Sequence, residues 1–245
     1  MPEEPDDDQP LLVARMQTIA RGWNDAADQR SIFLTCYALM TGNMLSAVAV
    51  RSFEDPAWAE EMVHRFARYY FDALSAYDAT PDSAPRVWQV AHNTCAEKDV
   101  WAIQKLLLGI NAHINYDLVL TLEEMLSPEW AELAADRRES RRRDYLRVND
   151  IIARTIDAVQ DDVLAQAMPI MRYIDLVMGP GDEFLLSGLL MRWRDRVWAY
   201  GVRLVEAGDL EARDEVIREM EEEALSRAQA ICLANGPASF WGVIR

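Results

Sequence analysis

Leu106-Leu107-Leu108-Gly109-Ile110-Asn111-Ala112-His113-Ile114-Asn115-Tyr116-Asp117-Leu118-Val119-Leu120 lies within the longest apolar helical pattern of the chain, residues 98–125. A helix apolar on every side belongs in the middle of a protein. This one nevertheless carries Asn111, His113, Asn115 and Asp117. At 3.6 residues per turn, His113 and Asp117 share one side, and Asn111 and Asn115 share another. Glu124 falls on the His113/Asp117 stripe about two turns further on.

Buried polar groups must find partners. Two readings of the cluster follow. In one it is a structural network: Asn111 and Asn115 bond neighbouring helices, and Asp117 pairs with an arginine. In the other it is a site, with His113 and Asp117 acting as an acid–base pair or as metal ligands.

Working outward, His92 in Trp88-Gln89-Val90-Ala91-His92-Asn93-Thr94-Cys95 is a tentative third ligand beside His113 and Asp117, for a divalent metal such as zinc or iron. It reads equally as a histidine favoured by a helix C-terminus. Asn149 sits where a charged helix turns apolar, and Arg194 and Trp198 stand four apart on another helix. With Asn111 and Asn115, these three are the expected substrate-binding residues, and Trp101 and Tyr116 are expected to wall the pocket. Arg194 is also the arginine that would pair with Asp117 in the structural reading. His64 reads as a structural or surface residue.

The remaining chain predicts an all-α, single-domain bundle of roughly eight to ten helices, because its connections are short and no stretch alternates as a strand would. Helices are predicted over 11–27, 31–50, 56–77, 84–92, 98–125, 136–166, 182–206 and 210–234. A short helix restarts at Ser127-Pro128, and Ser83 is expected to cap the one before His92. Residues 1–10 read as a disordered acidic leader, 11–236 as the domain and 237–245 as a tail. Pro169 and Gly179-Pro180-Gly181 should break the helices near them.

The chain has 245 residues, and 25 basic against 41 acidic side chains leave a net charge of −16. That balance excludes a general nucleic-acid binder and disfavours anionic membrane surfaces. Six arginines nevertheless gather between residues 137 and 147. They read either as a solvated face laced with ion pairs or as a local anion or partner patch. No stretch is expected to span a membrane, and three isolated cysteines suit a reducing cytoplasm. Phosphate-binding glycine loops, a G-x-S-x-G elbow and H-E-x-x-H are all missing from the sequence.

The run Gln104-x-Leu106-Leu107-Leu108-Gly109-Ile110-Asn111-Ala112-His113-Ile114-Asn115-x-Asp117-Leu118, with Arg147-Val148-Asn149-Asp150-Ile151 and the Arg194 to Trp198 pair, resembles the pattern of a bacterial, mainly actinobacterial, helical family of unknown function. The resemblance covers about residues 14–207 and implies an all-helical fold without implying an activity. It departs at Lys105, where the pattern tends to carry a histidine.

The expectation for function is an enzyme acting on a small, largely apolar substrate, of the kind met in specialised metabolism. His113 would be the acid–base group or a metal ligand, with Asp117 orienting it. The alternative is a non-catalytic scaffold or ligand-binding protein whose Asn111/His113/Asn115/Asp117 cluster is a hydrogen-bond network. Its partner would be a small molecule, with no nucleic acid and no membrane span.

Overall fold

The computed structural model describes residues 8–159 and 182–234, with side chains over 11–156 and 186–234. It is an all-α, single-domain bundle, and no strand occurs among the described residues. The helices are α1 (Asp8–Asp25), α2 (Ser31–Ala49), α3 (Pro56–Ala79), α4 (Arg86–Cys95), α5 (Ala102–Ala112), α6 (Leu118–Leu126), α7 (Ala135–Val159), α8 (Asp182–Val205) and α9 (Leu210–Leu233). A π-helical turn, His113–Asp117, joins α5 to α6 as one continuous rod.

Local chemistry sets most helix ends. Asp55 caps α3 by accepting from the Trp58 N–H at 3.1 Å, with Pro56 in the first turn where no donor is needed. Asp209 caps α9 through the Ala212 N–H at 2.8 Å. α1 begins at Asp8. Two expectations need correction. Ser83 does not cap α4: its hydroxyl donates to the carbonyls of Ala76 and Thr80, and α4 starts after Pro85. The Ser127-Pro128 restart is a run of turns rather than a helix. Pro169, Gly179-Pro180-Gly181, residues 1–7 and the tail with Phe240 and Trp241 lie outside the described residues.

The α5–α6 rod is the axis of the packing. α5 lies against α2, α4 and α9, whereas α6 lies against α3 and α8. Leu107, Leu118, Leu122 and Leu126 on the rod are fully buried, each such side chain contributing about 1.5–3 kcal/mol. Two glycines allow close approach. A Cβ on Gly109 would sit 2.6 Å from the Phe33 ring, and one on Gly201 would sit 2.9 Å from the Leu122 Cβ. Phe33 therefore rests directly on the backbone of α5.

α2 is long and apolar enough to cross a membrane, against the expectation that no stretch would be. Its packing against α1, α3, α5 and α7 accounts for that apolarity, since Ile32, Leu34, Tyr37, Leu45 and Val48 are all buried within the bundle.

The arginine block is engaged within the chain. Arg141 binds Glu129 and Asp55, Arg143 binds Glu54, and Arg138 lies over the Trp130 ring. Asp144, read in the sequence as part of a solvated face, is buried. Its carboxylate accepts from the backbone N–H groups of Glu54 at 2.7 Å and Asp55 at 2.8 Å. This contact ties α7 to the start of α3, the helix that carries Phe66 and Tyr70.

Candidate functional site: a buried His–Asp pair in an aromatic cage

The π turn sets the centre of the site. Leu118 N–H bonds the His113 carbonyl, an i to i+5 bond that inserts one extra residue into the rod. The Thr121 hydroxyl donates to the Asp117 carbonyl at 2.8 Å and so serves the backbone oxygen at the junction. Within the turn, His113 Nδ1 lies 2.9 Å from Asp117 Oδ2. The Trp88 indole N–H, from α4, donates to both carboxyl oxygens of Asp117, at 3.1 and 3.0 Å. Both carboxyl oxygens are thus engaged, whereas His113 Nε2 is buried without a partner among the described residues.

His113 is 3% exposed and Asp117 is 1% exposed. Burial keeps the His113 imidazole well below its ordinary pKa, and burial also pushes the Asp117 carboxyl well above its own, with the Trp88 N–H pulling the other way. Both groups favour their uncharged forms. The pair then holds one proton between Oδ2 and Nδ1 and a second on Nε2. If Nε2 gives its proton away, the shared proton settles on Nδ1 and the charge settles on Asp117, which two N–H donors hold. Nε2 is then a lone-pair base. The pair can act as acid and as base without forming a buried imidazolium.

Aromatic rings from α2, α3 and α4 enclose the imidazole. Phe66 stacks on it with centroids 3.5 Å apart and planes 6° apart. Tyr37 meets it edge-on at 4.3 Å, Phe33 at 5.7 Å and Tyr70 at 6.0 Å. Trp88 lies at 6.1 Å. Phe66 is the half-buried member of this group, so it is the wall between His113 and solvent. The cage was not read from the sequence. Its signal was the i, i+4 pairs Phe33/Tyr37 and Phe66/Tyr70, which pass for ordinary core positions on two separate helices.

The other expected site residues lie in two further clusters. Asn111 donates to the Ala224 carbonyl at 2.9 Å, and Asn115 donates to Asn111 Oδ1 at 3.0 Å, which fastens α5 to α9. Arg194 donates to Asn149 Oδ1 and to the Tyr145 carbonyl, both at 2.7 Å, and its guanidinium lies over the Tyr145 ring. Trp198 packs on Tyr145 and Trp130. Arg194 is therefore not the partner of Asp117. Trp101, expected in the pocket wall, is 45% exposed at the start of α5, and Tyr116 has no ring contact with His113 among the described residues. Glu124 lies at the edge of α6 and pairs with Arg65 and Arg68.

His92 is buried and stacks on the far partner of the pair, Trp88, at 5.1 Å. The tentative ligand set His113, Asp117 and His92 does not come together as a metal centre. Among the described residues no group of three or more His, Cys, Asp or Glu side chains is placed to hold a metal ion. The reason is local: Asp117 faces Trp88 and His113, and His113 Nε2 faces rings. His64 lies on α3, partly exposed and outside the cage. Cys36, Cys95 and Cys232 form no disulfide.

An all-helical bundle with a histidine–aspartate pair sealed in its core is the class of protein that fold and site define. Residues 11–234 match the profile of a family of unknown function (DUF5995), and the chain belongs to that family. No curated protein and no solved structure matches it.

Proposed function

We propose that the protein is an enzyme that moves a proton on a small, largely apolar molecule, with His113 as the acid–base group and Asp117 as its orienting and proton-sharing partner. The observation that carries the proposal is the unequal satisfaction of the pair. Both carboxyl oxygens of Asp117 are bonded, but His113 Nε2 is buried among aromatic rings with no partner among the described residues. A purely structural pair would have its second nitrogen bonded as well. Substrate reaches Nε2 when the Phe66 ring turns aside. Asn111, Asn115, Asn149 and Arg194 hold the helices in place rather than the substrate, since protein groups already engage them. The same proposal places the protein in a bacterial cytoplasm, supported by three cysteines outside any disulfide. It takes the Asn111-Ala112-His113-Ile114-Asn115-x-Asp117-Leu118 run as the mark of the family.

The test is conversion of a neutral metabolite from a cell extract, followed by mass spectrometry. His113→Gln should convert it about 100-fold more slowly or worse while keeping the wild-type melting profile. Full turnover by that variant would remove His113 from the role.

The second reading is a non-catalytic core network. The observation in its favour is the depth of His113, with one imidazole face covered by Phe66. It predicts that His113→Gln costs stability and nothing else.

A further inference from the structure

We propose that the hydroxyls of Tyr37 and Thr41, together with His113 Nε2, form a subsite for the single oxygen of a neutral and otherwise apolar molecule, an alcohol or a ketone. The inference extends the acid–base reading to a substrate class and rests on it for the step that follows binding.

Five buried side-chain polar atoms lack a partner among the described residues: Tyr37 Oη, Thr41 Oγ1, His113 Nε2, Trp58 Nε1 and His92 Nε2. The first three fall together. Tyr37 and Thr41 are one turn apart on α2, and their hydroxyls are close enough to interact with each other, though not in the geometry of a well-formed hydrogen bond. The Tyr37 ring touches the His113 ring at 4.3 Å. Tyr37 is 8% exposed and Thr41 is 2% exposed, so water outside the bundle does not serve them. Protein cores rarely leave such groups without well-formed bonds, and here two of them lie one turn apart on the helix whose Tyr37 ring packs against the imidazole carrying the third.

Their chemistry specifies what they would hold. Each hydroxyl gives one hydrogen and accepts others, and Nε2 gives or accepts according to its protonation. A carbonyl oxygen takes the Tyr37 hydrogen and that of Nε2–H. An alcohol takes one of these and gives its own hydrogen to Thr41 or to a bare Nε2. Phe33, Phe66, Tyr70 and Trp88 offer only apolar faces to the rest of such a molecule. Among the described residues His113 is paired with Asp117 and with no lysine or arginine, so a carboxylate or phosphate would enter without a counter-ion.

The experiment titrates full-length protein, labelled with 15N-histidine, with cyclohexanone and cyclohexanol, using benzene and benzoate as controls. The His113 Nε2 resonance is assigned by its loss in His113→Gln. The ketone or the alcohol should shift it saturably, and benzoate should not. Tyr37→Phe and Thr41→Val should each weaken that binding about tenfold, and Thr41→Ser should restore it, with the helical circular dichroism unchanged throughout. The proposal is overturned if neither oxygenated probe shifts the resonance, or if both hydroxyl-deleting variants bind as the wild type does. Hydroxyl-dependent binding alongside full turnover by His113→Gln would support this subsite while sinking the acid–base reading.

Discussion

The indole N–H of Trp88 straddles the carboxyl group of Asp117, 3.1 Å from one oxygen and 3.0 Å from the other. Among the described residues this is the one hydrogen bond from another helix that stabilises negative charge on Asp117, and it fixes how readily the His113–Asp117 pair releases a proton. Trp88→Phe keeps the apolar volume and removes the donor. The carboxyl should become harder to ionise, and the fold should lose about 1–3 kcal/mol, as when a buried partner is deleted. Urea unfolding reads the second effect. The first appears as an upward shift of the pH at which activity rises, and an unmoved profile would contradict the assigned role.

Asp117→Asn keeps the shape of the side chain but cannot pass a proton to Nδ1. The variant should fold, because the amide oxygen still accepts from Trp88. Turnover should drop by about 10²–10⁴-fold, with KM changed far less than kcat. A KM effect alone would mean that Asp117 only shapes the cage.

His92 supplies a pH signature separate from the pair. Burial takes its pKa from 6.5 to about 4, helped by Arg30 and opposed by Asp78 and Asp28. Between those values the unfolded chain binds a proton that the folded chain does not. Stability should therefore fall as pH drops through that window, by about 3 kcal/mol in total. His113 acts in the same direction. Asp117 acts oppositely, since its raised pKa contributes stability below its unfolded value and that contribution is lost as pH rises through the folded one. His92→Phe should flatten the acid limb of a stability–pH curve measured by denaturant, and an unchanged limb would assign the loss elsewhere.

Gly109→Ala tests the close approach of α2 to the rod. The added methyl meets the Phe33 ring at 2.6 Å, and relieving that overlap should cost about 1–3 kcal/mol. Phe33 also touches His113, so the His113 ring resonances should move as well. Asn111→Ala should cost a similar amount by orphaning the Ala224 carbonyl and Asn115, yet leave those resonances in place. Equal effects of the two on His113 would argue against treating the asparagine ladder as separate from the cage.

The sequence spoke clearly where one helix carried the whole signal. The i, i+4 spacing of His113 and Asp117 brings them into contact, and Asp55-Pro56 starts α3 where expected. It was silent where partners come from elsewhere in the chain. Nothing in the local pattern pairs Asp117 with Trp88, 29 residues away, or sets Phe66 flat on His113. Arg194 looked like the natural partner of a buried aspartate, but α8 turns it toward α7 and Asn149. Spacing gives the face a residue occupies; the identity of what meets that face is a tertiary fact.

The π turn has a consequence for the whole rod. One added residue advances the helical phase by roughly 100°, so the leucine stripe before Ala112 and the one after Leu118 point in different compass directions. The seam lets a single continuous element serve two sets of neighbours, α2, α4 and α9 on one side of it and α3 and α8 on the other. Deleting one residue between His113 and Asp117 would put the two stripes back in phase. It would unseat α6 and pull the acid from the base in the same stroke, so the bundle and the proton-sharing pair stand or fall on the same insertion.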